Sequence, residues 1–201
     1  MPYVDHAKNL MIAADGITHL SLHTAYSATG ANEATGGSPA YARQACAFDS
    51  AANGEKSLTG TEVFDVPSGT YEYVGAWDAV TAGNFKGMFP LGGGAANPPK
   101  TCIGRDTGDL IEATAHGLSN DDRVAFFGAG LATGLTAGTV YHVISANAND
   151  FQVSTTQGGS AVTITADGVN MIYQKVVPET FGAQGTLTIN ELTLGLNLVT
   201  T

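Results

Sequence analysis

Short segments in which apolar and polar residues alternate recur along most of this chain and are separated by turn residues. In Thr18 to Thr24, Leu20 and Leu22 alternate with polar side chains, so the leucines would lie on one strand face and Ser21 and the histidines on the other. The 26 glycines and 7 prolines suit many tight turns. Repeated short strands with turn signals between them are typical of sandwiches and barrels. The sequence therefore predicts a mainly β protein, built as an antiparallel, jelly-roll-like β-sandwich.

One short helix is expected before the first of these strands. The apolar residues there follow one another at spacings of three and four: Tyr3, Val4, Ala7, Leu10, Met11 and Ala14. Asp5 can cap the start of this helix, and Gly16 would end it.

The middle of the chain has a different organisation. Residues 92–99 (GGGAANPP) have the composition of a linker. A dense run of strand candidates follows, at 110–115, 123–127, 139–146, 150–155, 161–165 and 169–174. We therefore expect residues 104–176 to form a small inserted β module, and residues 1–103 and 177–201 to form the host sandwich.

The charge balance limits the partners. Eight Lys and Arg residues stand against 18 Asp and Glu residues, which gives a net charge of −10. Such a surface repels phosphate, so neither nucleic acid nor an anionic membrane is an expected partner. No apolar stretch reaches membrane-spanning length and no basic, apolar leader opens the chain, so export through the secretory route is not expected.

The residues that most often carry metals or redox chemistry are sparse. Cys46 and Cys102 are distant from each other in sequence, and two thiols are neither a disulfide framework nor a zinc site. Free thiols are expected, with a single bridge as the alternative. His19 and His23 have the i, i+4 spacing of a helical metal site, but on a strand they would lie about 13 Å apart. No metal or cofactor is predicted.

No motif for catalysis is present. His116 precedes a turn glycine and His142 lies in a predicted strand, and neither is near a Gly-x-Ser-x-Gly nucleophile elbow. Asp121 and Asp122 have oxygen ligands that calcium accepts, but they lack the ligand ladder of a calcium loop and are expected to be solvated turn acids. The sequence predicts no catalytic residues.

Three aromatic residues form a candidate interaction surface. Tyr71, Tyr73 and Trp77 alternate along one segment and would share a strand face. Exposed, these rings could stack on a sugar or form an interface hot spot. The alternative is that they pack in the core.

Several stretches of the chain resemble a family of small structural proteins of tailed bacteriophages, described as tail-fibre or minor tail proteins. They are THLSLHTA at 18–25, TGANEATGGS at 29–38, YARQ at 41–44, YVGAWDAVTAGNF at 73–85 and ETFGAQGTL at 179–187. The resemblance covers most of residues 5–90 and 177–198. The chain departs from the family pattern in the loop at 38–41 and in the module at 104–176. Within that module, residues 111–124, 138–143 and 150–154 are similar to small β modules of other phage structural proteins.

The resemblance implies a non-enzymatic virion protein exposed on the particle surface, as a tail-fibre or tail-associated component in assembly or host attachment. Its partners would be other virion proteins, further copies of itself (a trimer among the expected forms) and a host surface glycan. One alternative is a capsid decoration protein that stabilises the shell. A second is a carbohydrate-binding or depolymerising protein, which would need the rings of Tyr71, Tyr73 or Trp77 in an open cleft.

Overall fold

A computed structural model describes residues 16–52 and 54–195, and this part of the chain is built from strands with no helix. The predicted mainly β class is confirmed. The helix predicted between Tyr3 and Ala14 lies outside the described residues. The strands are β1 (His19–His23), β2 (Gln44–Ala45), β3 (Glu55–Ser57), β4 (Glu62–Val66), β5 (Gly69–Tyr71), β6 (Tyr73–Trp77), β7 (Phe85–Pro90), β8 (Lys100–Arg105), β9 (Leu110–Glu112), β10 (Arg123–Phe127), β11 (Val140–Ile144), β12 (Asp150–Ser154), β13 (Gly168–Val176), β14 (Glu179–Phe181), β15 (Gly185–Ile189) and β16 (Thr193–Gly195).

The chain divides into two compact units. Unit 1 is formed by Met1–Phe89 together with Glu179–Thr201, and unit 2 is the continuous segment Pro90–Pro178. The predicted boundaries, 103/104 and 176/177, differ from this division mainly at the first crossing. Strand β8 belongs to unit 2, whereas the sequence placed Lys100–Ile103 with the host.

Unit 1 contains a four-stranded sheet in the order β2-β1-β6-β7. Strands β1 and β6 pair antiparallel over their full length, from His19 opposite Trp77 to His23 opposite Tyr73. Every residue of β6 is buried, because side chains cover both of its faces.

The remaining strands of unit 1 form an interrupted two-stranded ribbon. Strands β3, β4 and β5 pair antiparallel with β16, β15 and β14 respectively, so residues 55–71 run against 179–195. In its central pair, Phe64, Val66, Leu187 and Ile189 point inward and are buried, while Val63, Thr186 and Thr188 are exposed. This alternation fixes the register, since a slip by one residue would turn the apolar side chains toward water.

Unit 2 is a closed six-stranded barrel in the order β10-β11-β12-β9-β8-β13. Its core consists of the buried residues Cys102, Ile111, Ala113, Val124, Phe126, Ala132, Tyr141, Val143, Phe151, Val153, Ile164, Met171 and Tyr173. All of these belong to unit 2, so the barrel supplies its own hydrophobic core.

A glycine-rich segment of unit 2, residues 128–135, lies directly against the backbone of residues 163–170. Backbone hydrogen bonds join Val169 N–H to the Gly130 carbonyl at 2.9 Å and Thr165 N–H to the Thr133 carbonyl at 2.9 Å. A Cβ atom at Gly128 would lie 2.7 Å from the Asn170 carbonyl oxygen, closer than real Cβ atoms come. The glycine makes this backbone-to-backbone approach possible.

Candidate functional site

The polar face of β1 is buried, which corrects the expectation of a half-exposed strand. Ser21 and His23 both have 0% exposure, as do Leu20 and Leu22 on the opposite face. The covering groups are aromatic rings that follow later in the chain. The Phe85 ring packs edge-on against Trp77, with centroids 5.1 Å apart, and against His23 at 6.5 Å.

A chain of hydrogen bonds links the buried polar groups, and its two ends fix where the protons lie. Trp77 Nε1–H donates to Ser21 Oγ at 2.8 Å, and Ser21 Oγ lies 2.7 Å from His23 Nε2. At the other end, His23 Nδ1 lies 2.8 Å from the Ala31 carbonyl oxygen, which can only accept. His23 must therefore carry its proton on Nδ1, and the Ser21 hydroxyl donates to Nε2.

Burial lowers the pKa of His23 below its usual value of 6.5, since the imidazolium would lose its hydration. The hydrogen bond to Ala31 and the charge of Glu33 act in the opposite direction, while the charge of Arg43 acts with burial. The ring is consequently neutral at pH 7.

An ion pair extends this network on the far side of the indole. The Arg43 guanidinium makes two hydrogen bonds with the Glu33 carboxylate, at 2.9 and 2.7 Å. Its central carbon lies 3.4 Å from the centroid of a Trp77 ring, in cation–π geometry. Arg43 Nη1–H also donates to the Ala82 carbonyl at 2.8 Å and to the Ala79 carbonyl at 3.2 Å.

Two glycines leave the space that this network occupies. A Cβ atom on Gly75 would collide with Ser21 Oγ and His23 Nε2. One on Gly30, which has a φ of +81°, would lie 2.5 Å from the Trp77 ring. We refer to Ser21, His23, Glu33, Arg43 and Trp77 together as the Ser21 network.

The Ser21 network contains a serine hydrogen-bonded to a histidine, which is the pairing of a nucleophile and its base. Here, however, neither group is exposed, Ser21 Oγ already accepts from Trp77, and Gly75 packs directly against both side chains. A substrate carbonyl has no space to approach the hydroxyl oxygen. The geometry is that of a buried polar network that holds β1, β6 and the 31–43 loops together.

The candidate interaction surface of Tyr71, Tyr73 and Trp77 is buried. Their exposures are 2%, 0% and 7%, and they do not share one strand, because Glu72 separates β5 from β6. Tyr71 O–H donates to the Pro67 carbonyl at 2.9 Å, and its ring lies 6.1 Å from that of Phe181. With the rings in the core, the open aromatic cleft required by the carbohydrate alternative is not formed by these residues.

In unit 2, His116 is buried and contacts the barrel core. Its Nδ1 accepts the Leu118 N–H at 2.9 Å, which places the proton of the neutral ring on Nε2, and its ring packs edge-on against Phe151 at 5.0 Å. Phe151 in turn contacts Tyr173 at 5.7 Å. Within the described residues, His116 Nε2 and the Tyr173 hydroxyl have no hydrogen-bond partner. His142 lies in β11, as the alternation predicts.

Both cysteines are free thiols, as the sequence predicts. Cys102 is buried in the barrel, and burial raises its pKa to about 12. The acidic turn is structural: Asp122 accepts the Ser119 N–H at 3.0 Å and pairs with Lys175 at 2.7 Å. Residues 16–52 and 54–195 contain no cluster of three or more potential metal ligands. The same part of the chain contains no helix of sufficient length and apolarity to span a membrane.

Sequence reasoning missed Glu33 and Arg43. Each lies in a stretch that carries the family resemblance, TGANEATGGS and YARQ, and the structure brings these two stretches together through the ion pair. A usable signal was the placement of opposite charges ten residues apart in a chain with only 13% charged residues.

Comparison with known proteins gives one match. Residues 5–94 match the family model described as "Podophage GP4 fiber I protein gp80", and these residues include the whole Ser21 network. The matched segment is slightly less than half of the chain. No curated protein and no solved structure matches the chain. The family match supports a phage virion structural protein as the class to which this chain belongs.

Proposed function

We propose that this chain is a non-enzymatic, tail-associated component of a phage particle that is exposed on the particle surface and acts in assembly or host attachment. The observation that carries the proposal is the match of residues 5–94 to a podophage fiber protein.

Three features of the molecule support a surface component. The net charge of −10 suits a part that faces solvent and not packaged DNA. The Ser21 network and the barrel core both bury their polar and aromatic groups, as a rigid scaffold does. The histidines at the centre of each unit make internal contacts and face no open cleft.

The test is gold labelling of intact particles of the phage that encodes this chain. Peptide tags are inserted at two exposed turns, one in each unit: after Gly60 and after Gln157. A Cβ atom at Gly60, or at Gly158 beside the second site, would meet nothing within 4 Å, so neither insertion disturbs packing. Untagged particles are the matched control.

We expect gold at the tail or its tip for at least one tag. Uniform gold over the head would contradict the tail-associated placement and favour the capsid decoration alternative. Absence of label on intact particles, with both tags detected after particle disruption, would contradict surface exposure.

A further inference from the structure

The outer edge of the ribbon in unit 1 has no strand beside it in the described part of the chain. Strand β15 (Gly185–Ile189) pairs with β4 on one side, and together they form a two-stranded sheet. Its other side presents a row of backbone N–H and C=O groups five residues long, about 17 Å of strand. Such an edge is a template for pairing with a further strand.

The other open edges in the described residues carry features that discourage strand addition. Strand β7 contains Lys86 and ends at Pro90, and β4 contains Glu62 and Asp65. Strand β2 is two residues long, and β3, β5, β14 and β16 are three residues long. Charged side chains, prolines and short length are the usual protections of an edge strand.

Strand β15 has none of these protections. Its sequence, GTLTI, has no charged residue and no proline, and the uncharged run extends over residues 182–190. Thr186 and Thr188 are exposed on one face, while Leu187 and Ile189 anchor the strand from the other. The strand is therefore held in register and presents β-favouring side chains to solvent.

The charge distribution indicates which partner fits this edge. Two copies of a chain with net charge −10 repel each other over most of their surfaces. They can approach with least repulsion where a strand is uncharged, and β15 lies in a nine-residue run of that kind. A basic partner would gain nothing from an edge without acidic side chains.

From these observations we propose that the free edge of β15 pairs with a second copy of this chain, extending the two-stranded ribbon across the interface. The pairing joins isolated chains, so it is independent of where the protein lies in the virion.

The first measurement is sedimentation velocity of the purified full chain over a concentration series at low and high salt. We expect species that are multiples of the 20.5 kDa chain. Association should strengthen with salt, because screening weakens the repulsion between like-charged copies. A monomer under all of these conditions would overturn the proposal.

The decisive variant is the double substitution Thr186→Lys and Thr188→Lys, which places two cations on the exposed face of the edge strand. The matched control is Thr101→Lys on β8, an exposed threonine in a barrel that has no free edge. We expect the edge variant to be monomeric with an unchanged far-ultraviolet circular dichroism spectrum, and the control to associate as the native chain does. A folded edge variant that associates like the native chain would overturn the proposal.

Cross-linking tests the edge without depending on the lysine variant. Thr186→Cys and Thr188→Cys are made separately in a Cys46→Ser background and treated with a short bis-maleimide, alone and as a mixture. We expect cross-linked dimers in at least one of these samples and none with Thr101→Cys. Equal yields from the edge and the control cysteines would overturn the proposal.

Discussion

The hydrogen-bond chain from Trp77 through Ser21 to His23 begins at a group that only donates and ends at a carbonyl that only accepts. Protonation of His23 at Nε2 would direct a second donor at Ser21 Oγ, which already receives the indole N–H. It would also place a charge on a ring with no exposure to water. At the residue scale, unit 1 therefore depends on a neutral imidazole.

This dependence predicts a loss of stability in mild acid. The pKa of His23 is lowered in the folded state, so below about pH 6.5 the unfolded chain binds a proton that the folded chain does not. The free energy of unfolding of unit 1 should be constant above that pH. It should fall as the pH drops toward the folded-state pKa, with a limiting slope of about 1.4 kcal/mol per pH unit.

The measurement is urea denaturation between pH 7.5 and 5, followed by tryptophan fluorescence. Trp77 is the only tryptophan and lies in unit 1, so the signal reports that unit. The pKa of the Asp78 carboxyl is held at about 2 by hydrogen bonds from Asn84, so this acid does not titrate in the range. His19→Gln should retain the acid dependence and His23→Gln should lose it; the reverse pattern would contradict the assignment.

Gly75→Ala tests the packing around the same network. Its Cβ atom would collide with Ser21 Oγ and His23 Nε2, and such overpacking typically costs about 1–3 kcal/mol. The matched control is Gly87→Ala on β7, where the nearest atom, Phe89 Cζ, lies 3.6 Å from the added Cβ in ordinary contact. We expect fluorescence-detected unfolding to show the loss for Gly75→Ala alone. Equal effects of the two substitutions would show that the cavity is not tight.

The sequence could predict that Leu20 and Leu22 face the core, because alternation reports one buried face. It could not predict that Ser21 and His23 are buried too. Their covering rings, Trp77 and Phe85, lie more than fifty residues away in sequence, and nothing local to β1 announces them. The same limit explains why the aromatic residues suggested an exposed surface when the structure buries them.

At the scale of elements, the strands that alternation identifies best are those with one clearly buried face. Strands β4 and β10 have the bounds that the sequence predicts. Strand β8 was missed, since it follows Pro99 and was read as an extension of the linker. The segment at 161–165 was predicted as a strand but makes only isolated hydrogen bonds, because the glycine-rich segment 128–135 lies against it.

The glycine-rich segment supports a prediction that separates backbone strain from collision. Gly128→Ala meets both a φ of +120° and the Asn170 carbonyl oxygen at 2.7 Å, whereas Gly117→Ala meets a φ of +73° and open space. The conformational cost alone is about 1–2 kcal/mol, so Gly128→Ala should destabilise unit 2 by more than Gly117→Ala does. Thermal unfolding monitored by circular dichroism compares the two variants. An equal loss would contradict the close approach of these two segments.

At the scale of the whole molecule, the closed barrel of unit 2 has no free edge, and its core residues all lie between 102 and 173. Residues 90–178 expressed alone should therefore fold with a β-type circular dichroism spectrum and a cooperative thermal transition. This fragment lacks tryptophan, so tyrosine fluorescence follows its unfolding. A non-cooperative transition would contradict an independent unit and, with it, the predicted inserted module.

The central claim is that the chain is a structural part of a phage particle. The most direct test is quantitative mass spectrometry of density-gradient-purified particles, with isotope-labelled peptides of this chain and of the major capsid protein as standards. We expect the chain in the particle band at a fixed copy number per particle, unchanged by a high-salt wash. Its presence only in the soluble lysate, at a ratio that varies between preparations, would contradict the claim.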